Sequence, residues 1–434
     1  MNREEVILAV RKNGLELMNV ADHLKDREVV MAAVQQNGGA LEFASNDMKH
    51  DREVVMAAVH QNGGALEFAS NDMKHDREVV MAAVHQRGTA LLFVPDHLKD
   101  KEVAMVAVHQ NGTALLFVPD ELKDIEMVMV AVQQDGMALK YVPDKFKDKK
   151  IVMVAVHQNG FALSHVPVHL KDKDVVIAAV QQTGFALSHV PDHLKDKEVV
   201  IAAVQQTGFA LSHVPDHLKD KEVVIAAVQQ NGFALRIVPD HLKDKEVVIA
   251  AVQQNGFVLM DVPDHLKDKE VVIAAVQQNG IVLMHVPDHL KEDREVVMTA
   301  VRQNRVVLSN LPRHLKDDRE VVMAAVQQNG MALEFVHETL IDPEIACAAM
   351  RNNPNALRFI KSLDDNNEFI ECLIQNRISA VGRPLLNAHI KARVKMKILA
   401  PELNDPFTYD VRGFLGGLTR RKQRKRKRTR RFKK

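Results

Sequence analysis

The sequence predicts an all-α solenoid of about fifteen tandem helix-turn-helix units, and three observations carry that prediction. One motif, typified by D-K-E-V-V-I-A-A-V-Q-Q-T-G-F-A-L-S-H-V-P-D-H-L-K at 196–219, recurs every 24 or 25 residues over about 2–363. A fixed period in this range marks arrays whose units bury their apolar faces only against neighbours. Each unit opens on a helix-capping residue. Each also carries a leucine at the third position after its glycine column, from Leu17 through Leu187 and Leu308 to Leu357.

The first element of the unit is a helix of about ten residues. Asp196 precedes Lys197-Glu198-Val199-Val200, where its carboxylate can accept the first free backbone N–H groups and face the positive helix end. Asn2 and then aspartates from Asp26 to Asp342 hold this position. Val200, Ile201, Ala203 and Val204 leave the helix little polar face, so burial on most sides is expected. Thirteen units place glycine after it, as Gly208, which reads as a left-handed helix stop. Arg305 and Pro354 are the exceptions, and Arg305 marks a drifted unit.

The second element is a shorter helix, Phe209 to Val214, stopped by Pro215. Its first and fifth residues vary together. Gly39/Phe43, Gly64/Phe68, Thr89/Phe93 and Thr113/Phe117 pair small with aromatic, whereas Phe161/His165, Phe185/His189 and Phe209/His213 reverse the order. On an α-helix these positions share a face, so the exchange reads as one ring filling one interior site rather than a ligand-stacking platform. A connecting turn, Asp216 to Lys219, leads to the next cap. The 25-residue units add their extra residue here, as in Lys49-His50-Asp51, as loops permit.

Beyond the array, 364–400 reads as a degenerate unit and a capping helix, 401–418 as an irregular linker and 419–434 as a disordered basic tail. The tail contains Arg420, Arg421, Lys422, Arg424, Lys425, Arg426, Lys427, Arg428, Arg430, Arg431, Lys433 and Lys434, with no acid. The formal charge of +1 therefore hides an asymmetry: without these twelve cations the body holds 46 basic and 57 acidic residues. Two cysteines, Cys347 and Cys372, make no disulfide framework in a chain this long, which points to a reducing compartment. No apolar signal region opens the chain, and no apolar run approaches the ~20 residues of a membrane span.

The residues offer little chemistry. His165/His169, His189/His193, His213/His217 and His285/His289 have i, i+4 spacing, but a proline separates each pair. Packing and surface roles therefore fit better than metal ligation. The K-D-K-E charges fit a solvated stretch with local ion pairs. No nucleophile–base set or phosphate-binding loop is present, so neither enzyme activity nor a cofactor is expected.

The recurring D-x-E-V-V-x-A-A-V-x-Q-N-G-x-A-L core resembles the domain-of-unknown-function 4116 family of short helical repeats. The resemblance implies tandem helical repeats, of a kind found in protists and algae, large DNA viruses and intracellular bacteria. It brings no catalytic residues.

The expected function is a non-enzymatic, monomeric scaffold that binds a protein partner and is carried to the nucleus or nucleolus by its tail, or otherwise stays cytoplasmic. One alternative is non-specific RNA or DNA binding through the tail. Another is a host-directed effector of an intracellular microbe. Residues 183–206 and 207–230 are identical, and identical neighbours cannot read different bases.

Overall fold

A computed structural model describes residues 2–360 together with 366, 368, 369, 371 and 372. The regular elements of the described residues are all helices, without a strand. The fold is an all-α solenoid of tandem repeats. The chain divides into two compact units, Met1–Gln278 and Asn279–Lys434. Twelve ten-residue α-helices, from Arg3–Lys12 to Lys269–Gln278, lie in the first unit. Arg294–Gln303, Arg319–Gln328 and Pro343–Asn352 lie in the second. Within each unit, consecutive long helices pack side by side and consecutive shorter helices stack beside one another. A ten-residue helix is below the roughly 12–15 residues that are marginal alone in water, so stacking stabilises every element.

The caps form as the sequence indicates. Asp196 accepts from the Val199 N–H at 3.0 Å, and Asn2 builds a full capping box with Glu5. The long helix is less enclosed than its composition suggests. Val199, Val200, Ala203 and Val204 are buried, but Ile201 and Ala202 are only half-buried and Gln205 and Gln206 face solvent.

The glycine column has a different purpose from a left-handed stop. The chain leaves the helix at the preceding residue, where Thr207 is extended at φ −148° and ψ 109°, and no glycine in the column needs a positive φ. What the position requires is space. A β-carbon on Gly208 would lie 2.4 Å from the carbonyl oxygen of Ala227 in the next repeat. The Gly208 N–H donates to Gln230 Oε1 at 2.6 Å, while Gln230 Nε2 donates to the Gln206 carbonyl at 3.2 Å. One side chain thus satisfies a free carbonyl and a free N–H at the end of its neighbour's helix. The glycine-to-glutamine bond recurs from Gly14–Gln36 to Gly256–Gln278, with Gly112 the exception, and again at Gly280–Gln303. Asn352 takes the role opposite Gly330 at 2.8 Å.

The second element is a 3-10 helix, Gly208–His213, not an α-helix. With three residues per turn its side chains fall into three rows. Gly208, Leu211 and Val214 point inward and are buried, whereas Phe209 and Ser212 share the outward row. The first and fifth residues therefore do not share a face. Phe161 and Phe185 are 39% and 37% exposed, so they are not interior fillers. Their rings meet His189 and His213 of the following repeat edge-on, at 6.3 and 6.0 Å. In these two repeats the rings make a surface contact between neighbours rather than fill one interior site.

The extra residue of the longer repeats does not sit in a loop. It converts the 3-10 turn seen at Asp96–Leu98 into a short α-helix at Asn46–His50, Asn71–His75, Asp288–Lys291 and Arg313–Lys316. The closing bond lengthens accordingly, as from Lys291 N–H to the Pro287 carbonyl at 3.1 Å.

The cysteines also depart from expectation. Cys347 and Cys372 form a disulfide, with Cα atoms 5.9 Å apart. Their sequence separation is 25, and stacking of adjacent repeats brings them side by side.

The corner contact makes a sharp mutational contrast. Gly208→Ala should lower stability by about 1–3 kcal/mol through overpacking against the Ala227 carbonyl. At Gly39 an added carbon meets only Asn37 Oδ1, at 3.2 Å, so Gly39→Ala should shift stability by about 0.5 kcal/mol or less. Urea midpoints of the two variants measure the difference; equal losses would refute the role of the corner.

Candidate functional site

Two exposed surfaces run along the stacked repeats, one from each helix type. On the long-helix side lies a ladder of charges. Lys197 Nζ lies 2.6 Å from Asp220 Oδ2 and 2.6 Å from Glu222 Oε2 of the next repeat. Asp220 meanwhile caps its own helix through Oδ1, at 3.0 Å from the Val223 nitrogen. The same carboxylate therefore starts one helix and ties it to the helix before. Arginines take the cation position in the first repeats, as Arg3 does with Asp26 and Glu28 at 2.6 and 2.5 Å. The pairs are thus chiefly between repeats rather than local. Lys219 forms the local set, with Asp216 at 2.8 Å. Where Val168 replaces that aspartate, Lys171 instead donates to the His189 carbonyl at 3.4 Å, and burial lowers its pKa.

The ladder shifts protonation as opposite charges do. The Lys173 ammonium beside Asp196 and Glu198 is pushed up to about 12. Asp196 and Asp220 fall below the usual carboxylate range, first through their lysine partners and then through the capped N–H groups. Both sides of each pair are solvated, so a single rung contributes little, and the effect comes from repetition.

The 3-10 side is more varied. Of thirteen large apolar side chains exposed among the described residues, ten occupy the first or fourth position after the glycine column. They include Leu15, Leu92, Leu116, Phe161, Phe185, Met260 and Met284. Except at Val306, these positions are one outward row of each 3-10 helix, which gathers them on one edge within each compact unit. Polar residues share the row: Ser164 donates to the Phe161 carbonyl at 2.8 Å. Arg236 lies 4.8 Å over the Phe233 ring and pairs with Asp261 of the next repeat at 2.9 Å.

The drifted repeat changes this edge. Arg305 stands in the glycine column, and Val307–Asn310 is an α-turn where other repeats have a 3-10 helix. The Arg305 guanidinium donates to the Met331 carbonyl at 3.1 Å and pairs with Glu334 at 3.3 Å. A cleft of about 380 Å³ opens there, lined by Ile281, Met284, Val306, Val307, Leu311 and Pro312 among others.

Nine overlapping matches to the family model described as Domain of unknown function (DUF4116) tile residues 2–49, 51–99, 76–123, 100–147, 124–171, 172–219, 220–267, 268–316 and 293–341. The chain belongs to the DUF4116 family. Each match is two structural repeats long, so the DUF4116 unit is a pair of these helix–helix repeats. Comparison with curated proteins gave no match.

The histidine pairs do not converge in this DUF4116 fold. His169, His193 and His217 are exposed on the connecting turns, while burial lowers the pKa of His165 and His189 on the 3-10 edge. Among the described residues no three or more His, Cys, Asp or Glu side chains gather as metal ligands, and no helix is long and apolar enough to cross a membrane. The twelve tail cations from Arg420 to Lys434, the linker and the capping helix lie outside the described residues. Sequence reasoning missed the outward row because it assigned the second helix the α period; a period of three displays the row directly.

The depressed aspartates imply a defined acid response. A carboxyl whose folded pKa is lowered contributes stability that is complete above its unfolded value, about 4, and is lost as pH falls through the folded value. Melting temperature should be level above about pH 5 and fall steadily below about pH 4. Thermal circular dichroism at steps from pH 7 to pH 2.5 measures this, and a profile flat to pH 2.5 would contradict the ladder.

Proposed function

We propose that this DUF4116 chain is a non-enzymatic scaffold that binds protein partners along the outward row of its 3-10 helices. The concentration of exposed apolar side chains on that row is the observation behind this reading. Contiguous exposed apolar surface rimmed by polar groups is a mark of protein-binding sites. The long-helix side is less suited, because its cations are already held by carboxylates of the next repeat. The basic tail adds direction to the scaffold: a run of twelve lysines and arginines in sixteen residues has the composition of a nuclear import signal.

The full chain carrying Leu92→Asp, Leu116→Asp, Phe161→Asp and Phe185→Asp should lose its cross-linked partners in cells while keeping its helical circular dichroism. Partners retained by this variant, and lost instead on changing Gln205 and Gln229 to Glu, would place binding on the other side.

The tail composition also favours a second reading, non-specific binding to nucleic-acid phosphates. A fluorescent fusion lacking 419–434 should show a several-fold lower nuclear-to-cytoplasmic ratio, and an unchanged ratio would refute import. Tail-dependent binding of the full chain to RNA or duplex DNA, weakening steeply with salt, would support the second reading instead.

A further inference from the structure

The last described helical segment continues the array in register. Asn366 Oδ1 accepts from the Phe369 N–H at 3.1 Å, the same i to i+3 geometry by which Asp342 caps Ile345 at 2.8 Å. Phe369 is buried, in the position that valine holds in most repeats. Counted from these caps, Cys347 is the fifth residue after Asp342 and Cys372 the sixth after Asn366. The equivalent residues upstream are Ile201 and Ala226, which line one groove on the long-helix side. The cysteines therefore replace an aliphatic neighbour pair at the seam between the last full repeat and the degenerate one. Both are largely buried, at 9% and 5% exposure.

We propose that Cys347–Cys372 is a reversible redox clasp that fastens the segment carrying Asn366, Phe369 and Cys372 onto the helix Pro343–Asn352. Stacking alone brings these two positions close, as it does Ile201 and Ala226, the fifth and sixth positions of adjacent repeats, which line one groove. Oxidation then locks a seam that packing alone has aligned. The oxidant is a low-molecular-weight disulfide of the glutathione class. One protein thiolate attacks it and displaces one small thiol. The second protein thiolate then attacks the protein-side sulfur of the mixed disulfide and releases the other. Two protein thiols lose two electrons and two protons, and one small disulfide becomes two small thiols. A reduced small thiol reverses each step. With both sulfurs buried, exchange proceeds through opening of the seam. Closing a loop of this length covalently changes the balance between docked and undocked forms on the order of 100-fold.

The full chain is equilibrated with oxidised glutathione or with reduced dithiothreitol, quenched in acid, denatured and treated with a maleimide. Intact mass should show no added maleimide and no glutathione after oxidation, and two maleimides after reduction. Two glutathione adducts, two free thiols, or a disulfide-linked dimer after oxidation would overturn the intramolecular bond. Hydrogen exchange then tests the clasp itself in the unmutated protein. Amides of Asn366, Glu368, Phe369, Glu371 and Cys372 should exchange on the order of 100-fold faster in the reduced form, with the helices from Arg3–Lys12 to Lys245–Gln254 unchanged. Equal exchange in both states would show that the bond fastens nothing. The variant C347S should exchange at the reduced rate whatever the redox buffer, and a redox-dependent C347S would also overturn the assignment.

Discussion

The repeat of this protein turns on a contact that only glycine permits. At twelve of the corners between long and short helix, the backbone comes so close to the next repeat that a β-carbon would sit within 2.6 Å of an alanine carbonyl. That approach lets one glutamine reach both the last carbonyl and the corner N–H of its neighbour. It also fixes the register from which other contacts follow: the cation of one repeat between two carboxylates of the next, the leucine column, and the Phe–His edges. None of these elements is long enough to persist alone. The corner therefore acts on the whole repeat. Where Arg305 occupies it, the following segment is no longer a 3-10 helix, whereas Pro354–Phe359, with proline at the corner, keeps one.

Much of this is legible from sequence because it is local. The capping aspartates, the helix length and the leucine column each depend on residues within one turn. The unread parts depend on either geometry or distance. Six residues are too few to reveal whether the period is 3.0 or 3.6. Yet the two periods differ by about 20° per residue, roughly 80° by the fifth position, enough to move His213 off the row of Phe209. The glutamines were hidden for another reason. An exposed polar residue ending a helix looks ordinary until the neighbour 24 residues away is in place. The disulfide is the same case, its two positions becoming neighbours only when adjacent repeats stack.

The glycine column shows how a correct position can carry a wrong reason. Glycine after a helix is commonly the residue that turns the chain into the left-handed region, and the sequence cannot distinguish that requirement from one of space. The backbone does. The turn is made in extended conformation by Thr207 or Asn231, residues with ordinary side chains, and Asn231 also accepts the Phe233 N–H at 3.0 Å to begin the 3-10 helix. Asparagine in this place thus ends one helix and starts another, while the glycine beside it makes room for the adjoining repeat.

The division between invariant and variable positions now follows from these rows. The inward row of glycine, leucine and valine barely changes, because each member touches the same neighbours in every repeat. The outward row changes in blocks: Gly with Glu at 39–67, Thr with Leu at 89–116, Phe with Ser at 161–212. At roughly 10 Å per packed helix, a block of two or three repeats extends about 20–30 Å, comparable to the footprint of one partner in a standard interface of about 800 Å² per side. In the proposed scaffold role, identical neighbouring repeats, which defeat any scheme of one letter per repeat, build a patch of that size. The useful unit of variation along this surface is the block, and duplication of whole repeats is a direct way to build one.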